Sequence, residues 1–322
     1  MSDAFRHLSR FISKCTGRPR QQTEVGADVL EELPEAIESP PADAAPAQLA
    51  IPGHELLRVI GHGAYGEVWL ARDEIGAHHA VKIIRKRSFA DRGPFEREYR
   101  GILQYTPMSR THHGLVPILH VGRETAAGFF YYVMELADCA TSGRAIHPET
   151  YNARTLAHEL DTRGRLPARE CLDLALDLTV ALRYLHSRQL IHRDIKPANI
   201  IYVNGVAKLA DVGLVTHTAE ARRDPKHLGT EGFTPPEGPG TPWADVYSLG
   251  KVLCEASLGE AGLQDVPVSL DGLDEPERGA LLQLTGIFFK ACHDELENRY
   301  QSIEEMQVDL MLAGDRFEDN PT

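Results

Sequence analysis

Long apolar runs, paired cysteines, a surplus of basic charge and the common zinc signatures are all missing from this 322-residue chain. Without about 20 consecutive apolar residues, no segment is expected to span a membrane as a helix. The five cysteines (Cys15, Cys139, Cys171, Cys254, Cys292) are odd in number and form no C-x-x-C. That pattern speaks against a disulfide framework or a thiolate zinc site and points to a reducing, cytoplasmic compartment. With 34 Lys and Arg against 47 Asp and Glu, the formal charge is −13, the wrong sign for a nucleic-acid partner held by counterion release. Arg6, Arg10, Lys14, Arg18 and Arg20 interrupt the region where a signal peptide needs a continuous apolar core, so export is not expected. No H-E-x-x-H occurs, and the adjacent pairs His78-His79 and His112-His113 cannot both face one ion from a regular element. The absence of G-x-x-x-x-G-K-[ST] disfavours a P-loop nucleotidase.

The length suggests about two compact lobes. Residues 21 to 50 hold no Lys or Arg but seven acids, with Pro34, Pro40, Pro41 and Pro46 among alanines. Such a stretch has too little apolar surface to offset its ordering entropy, so residues 1–50 are expected to form a disordered tail. Within it Phe5, Leu8, Phe11, Ile12 and Cys15 keep helical spacing opposite Arg6, Arg10 and Lys14. A basic amphipathic helix of that kind suits a partner or membrane surface, and alone it is short enough to fray. From Ile51 the pattern becomes β, with strands over 56–60, 67–72, 79–85 and 129–134 and one helix over 95–104. Helical periodicity then dominates at 170–187, 245–258, 277–293 and 302–312, the last opened by a Ser302/Glu305 capping box. The change falls near Glu135 to Asp138. Residues past Gly314 are read as a short C-terminal tail, 315–322.

Three constellations carry chemistry. Gly61-His-Gly63-Ala-Tyr-Gly66-Glu-Val68 places glycines between two strands, where a backbone without Cβ atoms can approach phosphates closely. Ala80-Val81-Lys82-Ile83 puts one ammonium in an apolar strand, and a buried ammonium needs a partner. Glu98 is the better candidate, because Phe95, Tyr99 and Ile102 share its side of the helix, whereas Glu96 aligns with Arg100 as a solvated i,i+4 pair. In Ile191-His-Arg-Asp194-Ile-Lys196-Pro-Ala-Asn199, two apolar runs follow, joined by Asn204-Gly205, a strong hairpin signal. The hairpin returns Asp211 to Asn199, making a hard-oxygen site suited to Mg²⁺. Asp194 lies in the same loop, free to accept a proton, with Lys196 nearby to neutralise phosphoryl charge.

These motifs, in this order, resemble the eukaryote-like serine/threonine protein kinases of bacteria. The resemblance covers roughly Pro52 to Gly314. It implies an α+β, two-lobed fold: a small antiparallel β lobe with one helix (51–134), a hinge (135–138) and a larger, mainly helical lobe (139–314). It implies ATP and Mg²⁺ as cofactors, with transfer of the γ-phosphoryl to Ser or Thr of a protein substrate, including the chain itself. By resemblance, Gly61, Gly63, Gly66, Val68 and Ala80 contact the nucleotide with Lys82, and Glu135 and Ala137 form the hinge behind Met134. Lys82 and Glu98 make a pair, Asp194 is the catalytic base, Lys196 its phosphate partner, and Asn199 and Asp211 the metal ligands. Asp245 is the buried helix anchor and Arg299 the partner of Glu237. Val212 stands where the family usually has Phe, and Pro235 where it has Ala. The stretch from Cys139 to Arg165 is longer than usual and is read as decoration of the larger lobe. In the segment 211–237, a phosphate on Thr216 or Thr218, or the Asp224 carboxylate itself, is the candidate for meeting Arg193. The plainer alternative is a mobile loop in which Asp224 pairs only with nearby basic residues. The rival reading is a nucleotide-binding scaffold without turnover, whose usual mark is loss of the lysine, base or metal ligands.

Overall fold

The computed structural model describes residues 49–63, 66–88, 92–211, 216–217, 229–259, 270 and 272–319. Almost all of the expected tail over residues 1–50 lies outside them, as do Val212, Thr218 and Asp224. Strands β1 (His54–Gly63), β2 (Gly66–Asp73) and β3 (His78–Arg85) lead into helix α1 (Arg92–Ser109), followed by β4 (Ile118–Glu124) and β5 (Phe129–Met134). They form one antiparallel sheet in the order β1-β2-β3-β5-β4. Side chains alternate across its faces. Val81, Ile83, Tyr131 and Val133 join Ile51 and Ala71 on one side, while Ile84, Phe130 and Tyr132 meet Phe95, Ile102 and Tyr105 of α1 on the other. Lys82 lies between Val81 and Ile83 in sequence, so alternation turns it to the α1 side, where it is only 4% exposed.

The larger half holds α2 (Leu156–Arg163), α3 (Ala168–His186), the short β6 (Leu190–Ile191), the hairpin β7 (Ile200–Val203) and β8 (Val206–Leu209), and β9 (Thr216–His217). Helices α4 (Pro242–Leu258), α5 (Glu275–Ala291) and α6 (Ile303–Asp319) complete it. α3 is the central rod, buried at Cys171, Leu172, Leu174, Ala175, Leu178, Ala181, Leu182 and Leu185. α6 corrects the expected C-terminal tail: it runs through Gly314 to Asp319. A Cβ at Gly314 would stand 3.3 Å from Leu172 Cδ2, so this glycine serves the close approach of α6 to α3 and does not stop the helix. At the other end, the Glu305 N–H donates to Ser302 Oγ (3.3 Å), and the Glu305 carboxylate accepts from the Gln301 N–H (2.9 Å).

An ion pair between the buried Arg299 and the solvent-exposed Glu237 fastens the segment after Gly229 to this half. The Arg299 side chain is fully buried and donates to Glu237 Oε1 (2.6 Å) and to the carbonyls of His293 (2.9 Å) and Asp294 (3.2 Å). Removing the carboxylate would leave a guanidinium charge without its counter-ion. Glu237→Ala is therefore expected to lower unfolding free energy by about 1.5–3 kcal/mol in urea titrations; a loss under about 0.5 kcal/mol would contradict the pairing.

Candidate functional site

The site is built outward from the Asn204-Gly205 turn. Both residues have positive φ (54° and 79°), as a two-residue hairpin turn requires. β7 and β8 pair from Ile200↔Leu209 to Val203↔Val206, bringing Asn199 and Asp211 to the open end. The Asp138 carboxylate clamps the turn by accepting from the N–H groups of Asn204 (3.0 Å) and Gly205 (2.8 Å). Lys208 pairs with Glu135 at 2.6 Å. The hairpin is thus fastened to the segment that leaves β5. A second buried carboxylate, Asp245, accepts from the N–H groups of His192 (2.8 Å) and Arg193 (2.9 Å) and contacts His186 Nε2 (2.9 Å). These bonds hold Arg193 at φ 73°, a conformation that few side chains adopt; Asp211, at φ 55°, is a second such residue.

Between the sheet and the helical half lies a cavity of about 380 Å³, a size suited to a small-molecule ligand. Gly61, Gly63, Val68, Ala80, Lys82 and Glu98 line its upper wall, Met134, Glu135 and Ala137 its inner end, and Asp194, Lys196, Asn199 and Asp211 its floor. Asn199 Nδ2 donates to the backbone oxygen (2.8 Å) and Oδ2 (2.9 Å) of Asp194. Only an amide nitrogen can donate to both, so Asn199 Oδ1 is left as an acceptor. Thr230 Oγ1 donates to Asp194 Oδ1 (2.8 Å) and accepts from Lys196 Nζ (2.9 Å), which also pairs with Asp194 Oδ2 (2.9 Å). Lys82 Nζ is ion-paired to Asp211. A Cβ at Gly63 would lie 3.4 Å from that Nζ and 3.8 Å from Asp211 Oδ2, so the glycine loop passes directly over the pair. Among the described residues, none hydrogen-bonds the Glu135 carbonyl or the Ala137 N–H.

The sequence matches the protein kinase domain family over residues 54–308. This chain belongs to the protein kinase family. Its relatives include serine/threonine-protein kinase PknB of Mycobacterium leprae, 32% identical over 280 residues that make up 80% of this chain and 42% of that protein. Serine/threonine-protein kinase PrkC of Bacillus subtilis is 29% identical over 286 residues, 81% of this chain and 40% of that one. PknB of Mycobacterium tuberculosis is 31% identical over 280 residues, with coverage of 80% and 42%. The chain therefore spans about two-fifths of the length of the curated relatives it matches.

Within this kinase fold, three expected roles are corrected. Lys82 pairs with Asp211, and no hydrogen bond joins it to Glu98 among the described residues, although Glu98 faces the same cavity and is 8% exposed. Charge decides between the two acids. Burial pushes the Glu98 carboxyl up to about 8; Lys82 pulls it down, and Asp211 adds to the rise. Burial also disfavours the Asp211 carboxylate, but Lys82 outweighs it and holds Asp211 below the usual range. For Lys82, burial favours the neutral amine, and Asp211 overrides it to hold the ammonium well above its ordinary value. Burial thus favours the protonated form of Glu98, and the direct ionic partner of Lys82 is Asp211. Second, Gly66 does not line the cavity; a Cβ there would stand 2.1 Å from the Ile83 carbonyl oxygen, so it is the β2–β3 approach that demands glycine. Third, Glu96 forms a fork with Arg123 of β4 (2.9 and 2.5 Å), and Arg100 reaches only the Glu96 backbone carbonyl.

The sequence reading placed Asp138 only at the end of the hinge and gave Thr230 no contact with Asp194 or Lys196. An acid at Asp138 carries no local signal, because the N–H groups it binds lie 66 and 67 residues away.

The lifted Glu98 carboxyl has a measurable consequence. Its folded pKa (about 8) exceeds its ordinary 4.5, so its contribution to stability is full below about pH 4.5 and is lost as pH rises through about 8. Melting temperatures of Glu98→Gln are expected to fall less than those of the parent across that window. Parallel curves would contradict the assignment.

Proposed function

We propose that this chain is a serine/threonine protein kinase that transfers the γ-phosphoryl of ATP, with Mg²⁺, to a protein hydroxyl. The observation that carries the reading is the convergence of Lys82, Asp194, Lys196, Asn199 and Asp211 on one cavity whose roof is a glycine loop. Their donor set fits both cofactors. Asp211 offers a carboxylate and Asn199 the amide oxygen left by its bonds to Asp194, the hard oxygens a magnesium ion prefers. Bound there, Mg²⁺ would draw charge from phosphate oxygens. The Glu135 carbonyl and Ala137 N–H offer an acceptor and a donor to the edge of a purine, between Val68 and Ala80 above and Ile201 below.

Asp194 would orient the acceptor hydroxyl and take its proton, and Lys196 at 2.9 Å would offset charge on the moving phosphoryl group. Thr230, between these two residues, holds their spacing. The relatives' designation as serine/threonine kinases supports a Ser or Thr acceptor.

The test is incubation of the full chain with labelled ATP, Mg²⁺ and a generic acceptor protein. Label on Ser or Thr of the acceptor or of the chain is expected, with a loss of about 100-fold or more in Asp194→Asn. Nucleotide binding without transfer by the parent would replace this reading with that of a binding scaffold.

A further inference from the structure

The stretch that follows the hinge does more than decorate the larger half. Its base is fastened to β7: the Asp138 N–H donates to the Tyr202 carbonyl (2.7 Å), the Tyr202 N–H to Arg154 (3.0 Å), and the Arg154 N–H back to Asp138 (2.8 Å). Ala140 and Asn152 close the loop across its neck (2.8 Å). Its far side reaches the sheet. Arg58 of β1 donates through Nε to the Pro148 carbonyl (2.6 Å) and through Nη2 to the Tyr151 carbonyl. A bulge between Leu56 and Arg58 re-aims the strand at this point. Tyr151 is buried against Leu70, beside Leu57 and Ile60, and its hydroxyl donates to the hinge carbonyl of Ala137 (3.0 Å). The same ring lines the cavity.

We propose that residues 138–155 form a strap that fixes the height of the glycine loop over the bound nucleotide, with Arg58 and Tyr151 as its positioning residues. Arg58 precedes Gly61 by three residues, so fixing Arg58 fixes the root of the loop. The other end of the strap is bonded to the hairpin that carries Asn199 and Asp211 at its feet. Roof and floor of the cavity are thereby linked on the hinge side without passing through the nucleotide. Two carbonyl acceptors spaced for a planar fork need a guanidinium, and a lysine ammonium cannot reproduce them.

The inference rests on the nucleotide-binding reading, and calorimetry of Mg²⁺·ADP binding to the full chain separates the two. If the parent does not bind, the kinase reading fails and the strap has nothing to position. If the parent binds, Arg58→Lys and Arg58→Ala are expected to weaken binding by about fivefold or more while keeping the parent's melting temperature within a few degrees. KM for ATP should rise in step while KM for the acceptor protein stays put. Tyr151→Phe, which removes only the hydroxyl, should weaken Mg²⁺·ADP by about threefold. Affinities within twofold of the parent in all three variants overturn the proposal. Loss of the fold in both Arg58 variants overturns it equally, because the tie would then hold the sheet together and not set its height.

Discussion

A buried ammonium without a counter-ion is too costly to keep charged, and Lys82 is such an ammonium. Alternation along β3 turns it to the face covered by α1, where it is buried at the wall of the cavity. Its counter-charge comes from across the cavity, on Asp211. Much of the larger half is arranged so that Asp211 can be there. The Asn204-Gly205 turn reverses the chain, Asp138 clamps the turn, and Asp245 pins the loop that precedes it. The left-handed backbone at Arg193 and Asp211 is held in place by this framework.

Two carboxyl groups and one ammonium share the same low-dielectric space. Burial resists ionisation of both acids, yet only Asp211 also has the direct bond to Lys82. Lys82 and Asp211 therefore make the bonded pair, and burial favours the protonated form of Glu98. A divalent cation that engaged Asp211 would free the ammonium, and Glu98 is the next carboxyl within its field.

Local chemistry made much of this legible in the sequence. The Asn-Gly turn between two apolar runs placed Asn199 beside Asp211, and the apolar neighbours of Glu98 placed it on the inner face of α1. What stayed hidden depends on contacts distant along the chain. β4 has polar residues at His120, Arg123 and Glu124, so its pattern shows no clean alternation, and it lies at the sheet edge. Gly66 read as a loop residue and Gly314 as the end of the larger lobe, whereas their neighbours Ile83 and Leu172 explain them. The choice of Asp211 over Glu98 by Lys82 follows from relative burial and bonding, which sequence spacing does not contain. Arg58 meets carbonyls 90 and 93 residues further on, and backbone acceptors leave no trace in residue identity.

The most direct measurement is the magnesium dependence of ADP affinity in the parent and in Asp211→Asn. If the cavity holds a magnesium nucleotide through Asp211, magnesium should tighten ADP binding by about tenfold or more in the parent and have almost no effect in the variant. An equal magnesium enhancement in both proteins would contradict the site.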